Sequence, residues 1–325
     1  MTSPTRSARR ALPLLAGAAG CVMLLVLVIA GGIGYLVLRP GPGSPAPPST
    51  TASSPSSSAA AAFEVIRPDE ENTRSPEELR TVLAANPLTQ GRLPATGPCT
   101  LPEVAVDSTP EQLQTFLQAG VDCYARSWAP AMSDRNLPWA TPRVVVFVWP
   151  ELPPGHGCDS SEFTQTRPTM CDLDETLYWP VGAGSFARAV IGGELPASDL
   201  AGAYLWDIGV QMTRTMAWQS SLVLYMTHLQ TAHEDSDPEL RDTYRRTNLQ
   251  LLCVSAASSV QLPEELRPST TLRARLLDES SWTRGEEPRT LPPSASIRWL
   301  RTGLESRGDL SHCNTWTAAG YEISG

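Results

Sequence analysis

The chain contains no lysine: all 25 of its basic residues are arginine, set against 34 carboxylates, for a net charge of −9. With 30 prolines and abundant alanine, this reflects a GC-rich coding bias and carries no function of its own. The charge balance does exclude a nucleic-acid footprint, which needs clustered positive charge. Histidine is scarce, with four in 325 residues and none between Gly157 and Thr227. No two cysteines stand at C-x-x-C spacing, which weakens a thiolate metal site. No G-x-S-x-G elbow is present, and Ser-His-Asp sets find few histidines to build on. Internal repeats are absent as well.

Charge is also missing from residues 12–38, an apolar run of 27. As a helix it would reach about 40 Å, against a hydrocarbon core of about 30 Å, so it is long enough to span with tilt. It is too long for the apolar core of a cleaved signal peptide. Cys21 reads as an in-helix cysteine, because the uncharged run continues well beyond it. Arg6, Arg9 and Arg10 precede the run, while Arg39 is the only basic residue from 39 to 66. The positive-inside rule then keeps the tail (1–11) in the cytoplasm and exports the remainder of this single-pass membrane protein. Residues 39–74, rich in proline, serine and alanine, read as a semi-extended stalk that cannot bury a core. The folded extracytoplasmic domain is expected over 75–325, starting between Ser75 and Asn86.

Cys99, Cys123, Cys158, Cys171, Cys253 and Cys313 lie in the exported part. An even count in an oxidising compartment points to three disulfides, and six cysteines allow 15 pairings on sequence alone. Thr109-Pro110-Glu111-Gln112 is a helix start with a hydroxyl cap and a capping-box glutamine. The stripe Leu113, Phe116, Leu117, Val121, Tyr124, Trp128 follows, and Pro130 is expected to close the helix. Residues 143–149 (RVVVFVW) predict a buried strand and Thr176 to Trp179 a second. A Cys158–Cys171 bridge would staple those neighbouring segments. From Ser198-Asp199 a long apolar segment to Thr231 predicts one central buried helix. Another helix is capped at Asp237-Pro238 and runs to Val260. Ile297, Leu300 and Leu304 mark a last short helix. The class is α+β, predominantly helical, with a small sheet.

The histidines offer no metal site. His156 sits in a Pro/Gly turn and His312 beside a cysteine, and surface roles suit both. His228 and His233 are five apart and share no helical face well. The run His233-Glu-Asp-Ser-Asp237 imitates a degenerate HExxD site, but Asp237 before Pro238 caps the next helix, so the run is a loop. Trp206, Trp218 and Tyr225 read as core, with a ligand groove as the alternative.

Several segments, taken in order, resemble a known family. They are CYARSW at 123–128, PRVVV at 142–146, Cys158 and Cys171 followed by TLYW at 176–179, RRTNLQLLC at 245–253, RWLRTGLES at 298–306 and CNTW at 313–316. Together they resemble the neutral zinc metallopeptidases of bacteria over residues 86–316. The resemblance implies a zincin-like scaffold. An HExxH helix there would place two histidines on one zinc and a glutamate on its water, with a third ligand from a run like E-L-Q-A-D-C. It also implies the pairs Cys99–Cys123, Cys158–Cys171 and Cys253–Cys313.

The chain departs from that pattern at each ligand. Anchored on Asp199 and Tyr204, the positions of His, Glu and His hold Ile208, Gly209 and Met212. Anchored on Gly209, they hold Trp206, Asp207 and Val210. Cys253 fixes the other register, so the third ligand falls on Asn248, and Leu252 replaces the aspartate before the cysteine. No catalytic residue, metal ligand or cofactor is assigned. The resulting expectation is a membrane-anchored, catalytically inactive homologue that binds a protein or peptide partner in the cell envelope. The alternative is an active hydrolase or peptidase with a relocated metal site.

Overall fold

A computed structural model describes residues 63–282 and 291–325. Among them no helix is long and apolar enough to cross a membrane. The apolar run at 12–38, the cytoplasmic tail and most of the stalk lie outside the described residues.

The packed chain begins earlier than residue 75. Ile66 is buried, its amide donates to Ser221 Oγ at 2.9 Å, and Phe63 stacks obliquely on Tyr225. Helix α1 (Pro76–Ala84) then starts on a capping box, with Ser75 accepting from the Glu78 amide and the Glu78 carboxylate accepting in return. Helix α2 (Pro110–Asp134) opens on the expected Thr109–Gln112 box but does not stop at Pro130. Proline in a helix interior costs roughly 3 kcal/mol. Here Ala131 and Met132 continue the buried stripe of Trp128, and their packing offsets it.

Strands β1 (Arg143–Phe147), β2 (Thr169–Cys171) and β3 (Thr176–Pro180) form one sheet in the order β1-β3-β2. β1 runs parallel to β3 and β2 antiparallel to it. β3 is central and wholly buried. β1 is an edge, shorter than expected, and Val148 and Trp149 beyond it are exposed. An edge strand leaves unpaired amides. Two glutamines from α2 cover them: Gln118 Oε1 accepts from Val144 at 2.8 Å and Gln114 Oε1 from Val146 at 3.0 Å.

After the short helix α3 (Ser185–Ile191) come α4 (Leu200–Gln219) and α5 (Leu222–Ala232), where the sequence reading expected one helix. The break is at Ser221, in the left-handed region at φ 58. Its hydroxyl bonds both the amide and the carbonyl of Ile66. A tertiary contact thus ends α4, and no glycine or proline announces it. Helix α6 (Asp237–Ser259) is capped at Ser236, one residue before the expected Asp237. It packs against α4 on one side and α8 (Pro293–Glu305) on the other; α7 (Thr270–Leu276) lies between α6 and α8 in sequence. α8 is not the last helix, since α9 (Gly320–Ser324) follows and covers it.

The disulfides are Cys99–Cys123, Cys158–Cys171 and Cys253–Cys313. They suit an oxidising compartment outside the cytoplasm. The second anchors a satellite core of Phe147, Phe163 and Tyr178, onto which His156 packs. The third joins α6 to the carboxyl-terminal segment. Beside it, buried Arg246 donates to the carbonyls of Thr315 and Ala318 and pairs with Asp242 at 2.9 Å. The described fold is therefore predominantly helical α+β with one three-stranded sheet.

Candidate functional site

Helix α4 presents one face to the core and one to a cleft. On one, Ile208 and Met212 are fully buried, and Gly209 faces Tyr124 so closely that a Cβ would stand 2.7 Å from its hydroxyl oxygen. Tyr124 crosses from α2 to donate to the Leu205 carbonyl at 3.0 Å. On the other face, Trp206, Asp207, Val210, Gln211, Arg214 and Trp218 recur at three- and four-residue spacing along one wall of a cleft. Side chains so spaced share a helical face. Of the two registers, only Trp206, Asp207 and Val210 reach the cleft. Ile208, Gly209 and Met212 belong to the core.

The cleft encloses about 680 Å³, the size of a small-molecule or peptide site. Its opposite wall is α6, through Thr247, Asn248, Leu251, Leu252 and Ser255. Edge strand β2 forms the floor with Thr169 and Met170, and Arg167, Glu162 and Asp172 flank it. Phe186, Trp282 and Leu291 also line the cleft. Asn248 thus stands across the cleft from Trp206 and Val210. Trp206 and Trp218 line this groove, whereas Tyr225 is core, donating its hydroxyl to Glu64.

The residues at the resemblance's ligand positions do not fit zinc. Trp206 and Val210 have no donor atom for the metal, and the Asn248 amide donates back to the Tyr244 carbonyl at 2.9 Å. The one carboxylate, Asp207, is engaged elsewhere. It accepts from the amides of Ser185 at 3.1 Å, Phe186 at 3.1 Å and Ala187 at 3.0 Å, so it caps the start of α3. The preceding Gly184 sits at φ +111, and a Cβ there would lie 2.6 Å from Asp207 Oδ2. Among the described residues no three or more of His, Cys, Asp and Glu converge in a way that could hold a metal ion. His228 lies on α5 and His233 is its C-cap, in the loop expected for the 233–237 run; neither lines the cleft.

Burial pushes the Asp207 carboxyl up to about 7, against the three backbone donors that hold it down. Burial, and secondarily the charge of Glu162, push Asp172 up to about 7 as well. A carboxyl whose folded pKa exceeds its unfolded value favours the protonated folded state. Its stabilising contribution is complete below about pH 4 and is lost as pH rises through about 7. The carboxyls with lowered pKa, such as Glu78 and Asp309, act below that window. The thermal midpoint is therefore expected to fall between pH 5 and 7.5, and Asp207→Asn is expected to flatten that slope. A slope unchanged in both Asp207→Asn and Asp172→Asn would show that neither group titrates there.

Sequence reasoning missed Arg167, Gln211, Arg214, Asp172 and Trp282. One signal was available: Asp207, Gln211 and Arg214 form a polar stripe at i, i+4, i+7 on an otherwise apolar helix. Comparison with family models, curated proteins and solved structures found no match.

Proposed function

We propose that this chain is a membrane-anchored, catalytically inactive member of the neutral zinc metallopeptidase scaffold, whose cleft binds a peptide or protein partner in the cell envelope. The observation that carries this reading is a convergence. The positions that the resemblance assigns to zinc chemistry, Trp206, Asp207, Val210 and Asn248, meet in one large cleft, and their side chains suit packing and hydrogen bonding instead of metal coordination. The aromatic walls offer apolar area at low entropic cost, which favours an extended ligand. The anchor is residues 12–38, with the amino terminus in the cytoplasm.

The experiment is peptide retention. A digest of envelope proteins passed over the immobilised chain should yield a retained set, and Trp206→Ala together with Leu251→Ala should reduce it severalfold. No enrichment over a blank column would remove the binding role. A second reading, hydrolysis by a divergent site, draws on Asp172, which lines the cleft and whose carboxyl is pushed up to about 7 by burial and by the charge of Glu162. It requires retained peptides to acquire new termini.

A further inference from the structure

The cleft holds two guanidinium groups that pair with no described residue. Arg167 enters from the loop before β2 and Arg214 from α4, and both line the same space. Among the described residues neither guanidinium makes a hydrogen bond or an ion pair, although the protein carries an excess of carboxylates. Desolvation, and secondarily the charge of Arg167, depress Arg214's pKa, so the two cations feel each other. Glu162 and Asp172 line the same cleft, but among the described residues neither forms an ion pair with Arg167 or Arg214.

One turn before Arg214, Gln211 faces the same cleft. It is only 7% exposed, and its Oε1 has no hydrogen-bond partner among the described residues. A buried amide oxygen without a donor costs stability in the free protein, and a ligand N–H would relieve it. Beside these groups stand Trp206, Leu251 and Leu252. The cleft thus presents partners for an anion, an N–H donor and an apolar group in one space.

We propose that the cleft recognises the free carboxyl terminus of a peptide whose last side chain is apolar, with Arg167 and Arg214 on the carboxylate and Gln211 on a nearby backbone amide. Resting on the peptide-binding reading above, this names the end of the peptide that the cleft takes. Guanidinium groups match a carboxylate in shape and charge, and such charge-assisted bonds are about twice as strong as neutral ones. The apolar wall decides between sources of carboxylate. In a terminal residue the apolar side chain and the amide are both attached to the carbon bearing the carboxylate, whereas an internal Glu or Asp brings only methylene.

The test uses the full chain in nanodiscs, with empty discs as control, and fluorescently labelled hexapeptides ending in Leu, Phe or Val. Free acids should bind at least about tenfold more tightly than the matching carboxyl-terminal amides. Arg214→Gln and Arg167→Gln should each weaken the acids severalfold and the amides much less, so that the preference for the free acid shrinks. Both side chains reach solvent, Arg214 between the cleft walls that desolvate it, and circular dichroism checks that each variant folds. Equal binding of acids and amides would overturn this inference while leaving the peptide-binding reading intact. Failure of both sets to bind would overturn the two together. Equal binding of an amidated peptide with an internal Glu, or equal competition by N-acetyl-leucine, would also contradict it, by assigning the arginines to a side chain or to a small acid.

Discussion

Removing the Cys253–Cys313 bridge by alanine at both positions is expected to lower stability by about 4 kcal/mol. The bridge closes a loop with a sequence separation of 60, the longest of the three, and in the chain-entropy model the effect grows with loop length. Both cysteines are fully buried, so the replacement also leaves unfilled space between α6 and the carboxyl-terminal segment. Arg246 and Thr315 still tie these segments together, through Arg246 on the Thr315 and Ala318 carbonyls and Thr315 on the Arg246 carbonyl at 2.8 Å. The variant should therefore keep its fold while its urea midpoint drops. Removal of Cys158–Cys171, which closes a separation of 13, should cost less. A loss below about 1 kcal/mol for the long bridge would mean that loop entropy does not govern this domain.

The second large effect is at Gly303, where α8 meets α6. A Cβ there would stand 2.2 Å from the Cys253 carbonyl oxygen and 2.7 Å from Ala256 Cβ. Backbone cannot yield as a flexible side chain does, so Gly303→Ala must separate the two helices. The expected cost is about 2 to 3 kcal/mol, the range of overpacking in a close-packed core. Gly202 in α4 is the internal control, because its nearest neighbour, Leu272 Cδ2, is 3.8 Å away. Gly202→Ala should be neutral or stabilising by up to about 1 kcal/mol, through helix propensity alone. Because Gly303 packs on the residue that carries the bridge, Gly303→Ala should cost less in the variant lacking Cys253 and Cys313. Equal costs at Gly202 and Gly303 would contradict the close packing of α6 and α8.

What the sequence made legible was mostly local. The Thr109–Gln112 capping box, the α2 stripe and the β3 run are signals written within a few residues, and they reappear at those positions. The failures were set by partners distant in sequence. α2 continues past Pro130 because Ala131 and Met132 find a core, and α4 ends at Ser221 because Ile66 bonds its hydroxyl. β2 is three residues long and shows no pattern of its own; pairing with β3 defines it. For the cleft, the resemblance pointed to a stretch of α4 and left two registers open, one on the cleft face and one in the core. The side-chain directions exclude Ile208, Gly209 and Met212 from the cleft. A charged residue on an apolar helix is costly to leave facing a core. Asp207, Gln211 and Arg214 were therefore a signal of the cleft face that the sequence carried but the reading did not use. Arg167 and Trp282 lie on separate segments, and only the fold brings them to that face.

Whether this cleft binds without cutting is tested most directly by zinc stoichiometry measured with peptide scission on one sample. The full chain, purified without chelator, should contain well under one zinc per molecule, and peptides recovered from it should carry no new termini by mass spectrometry. The chemical ground is that Trp206, Val210 and Asn248 supply no imidazole or carboxylate, while Asp207 is held by three amides of α3. One zinc per chain, with scission at neutral pH that a chelator abolishes, would contradict the account and place the ligands on residues outside those named here.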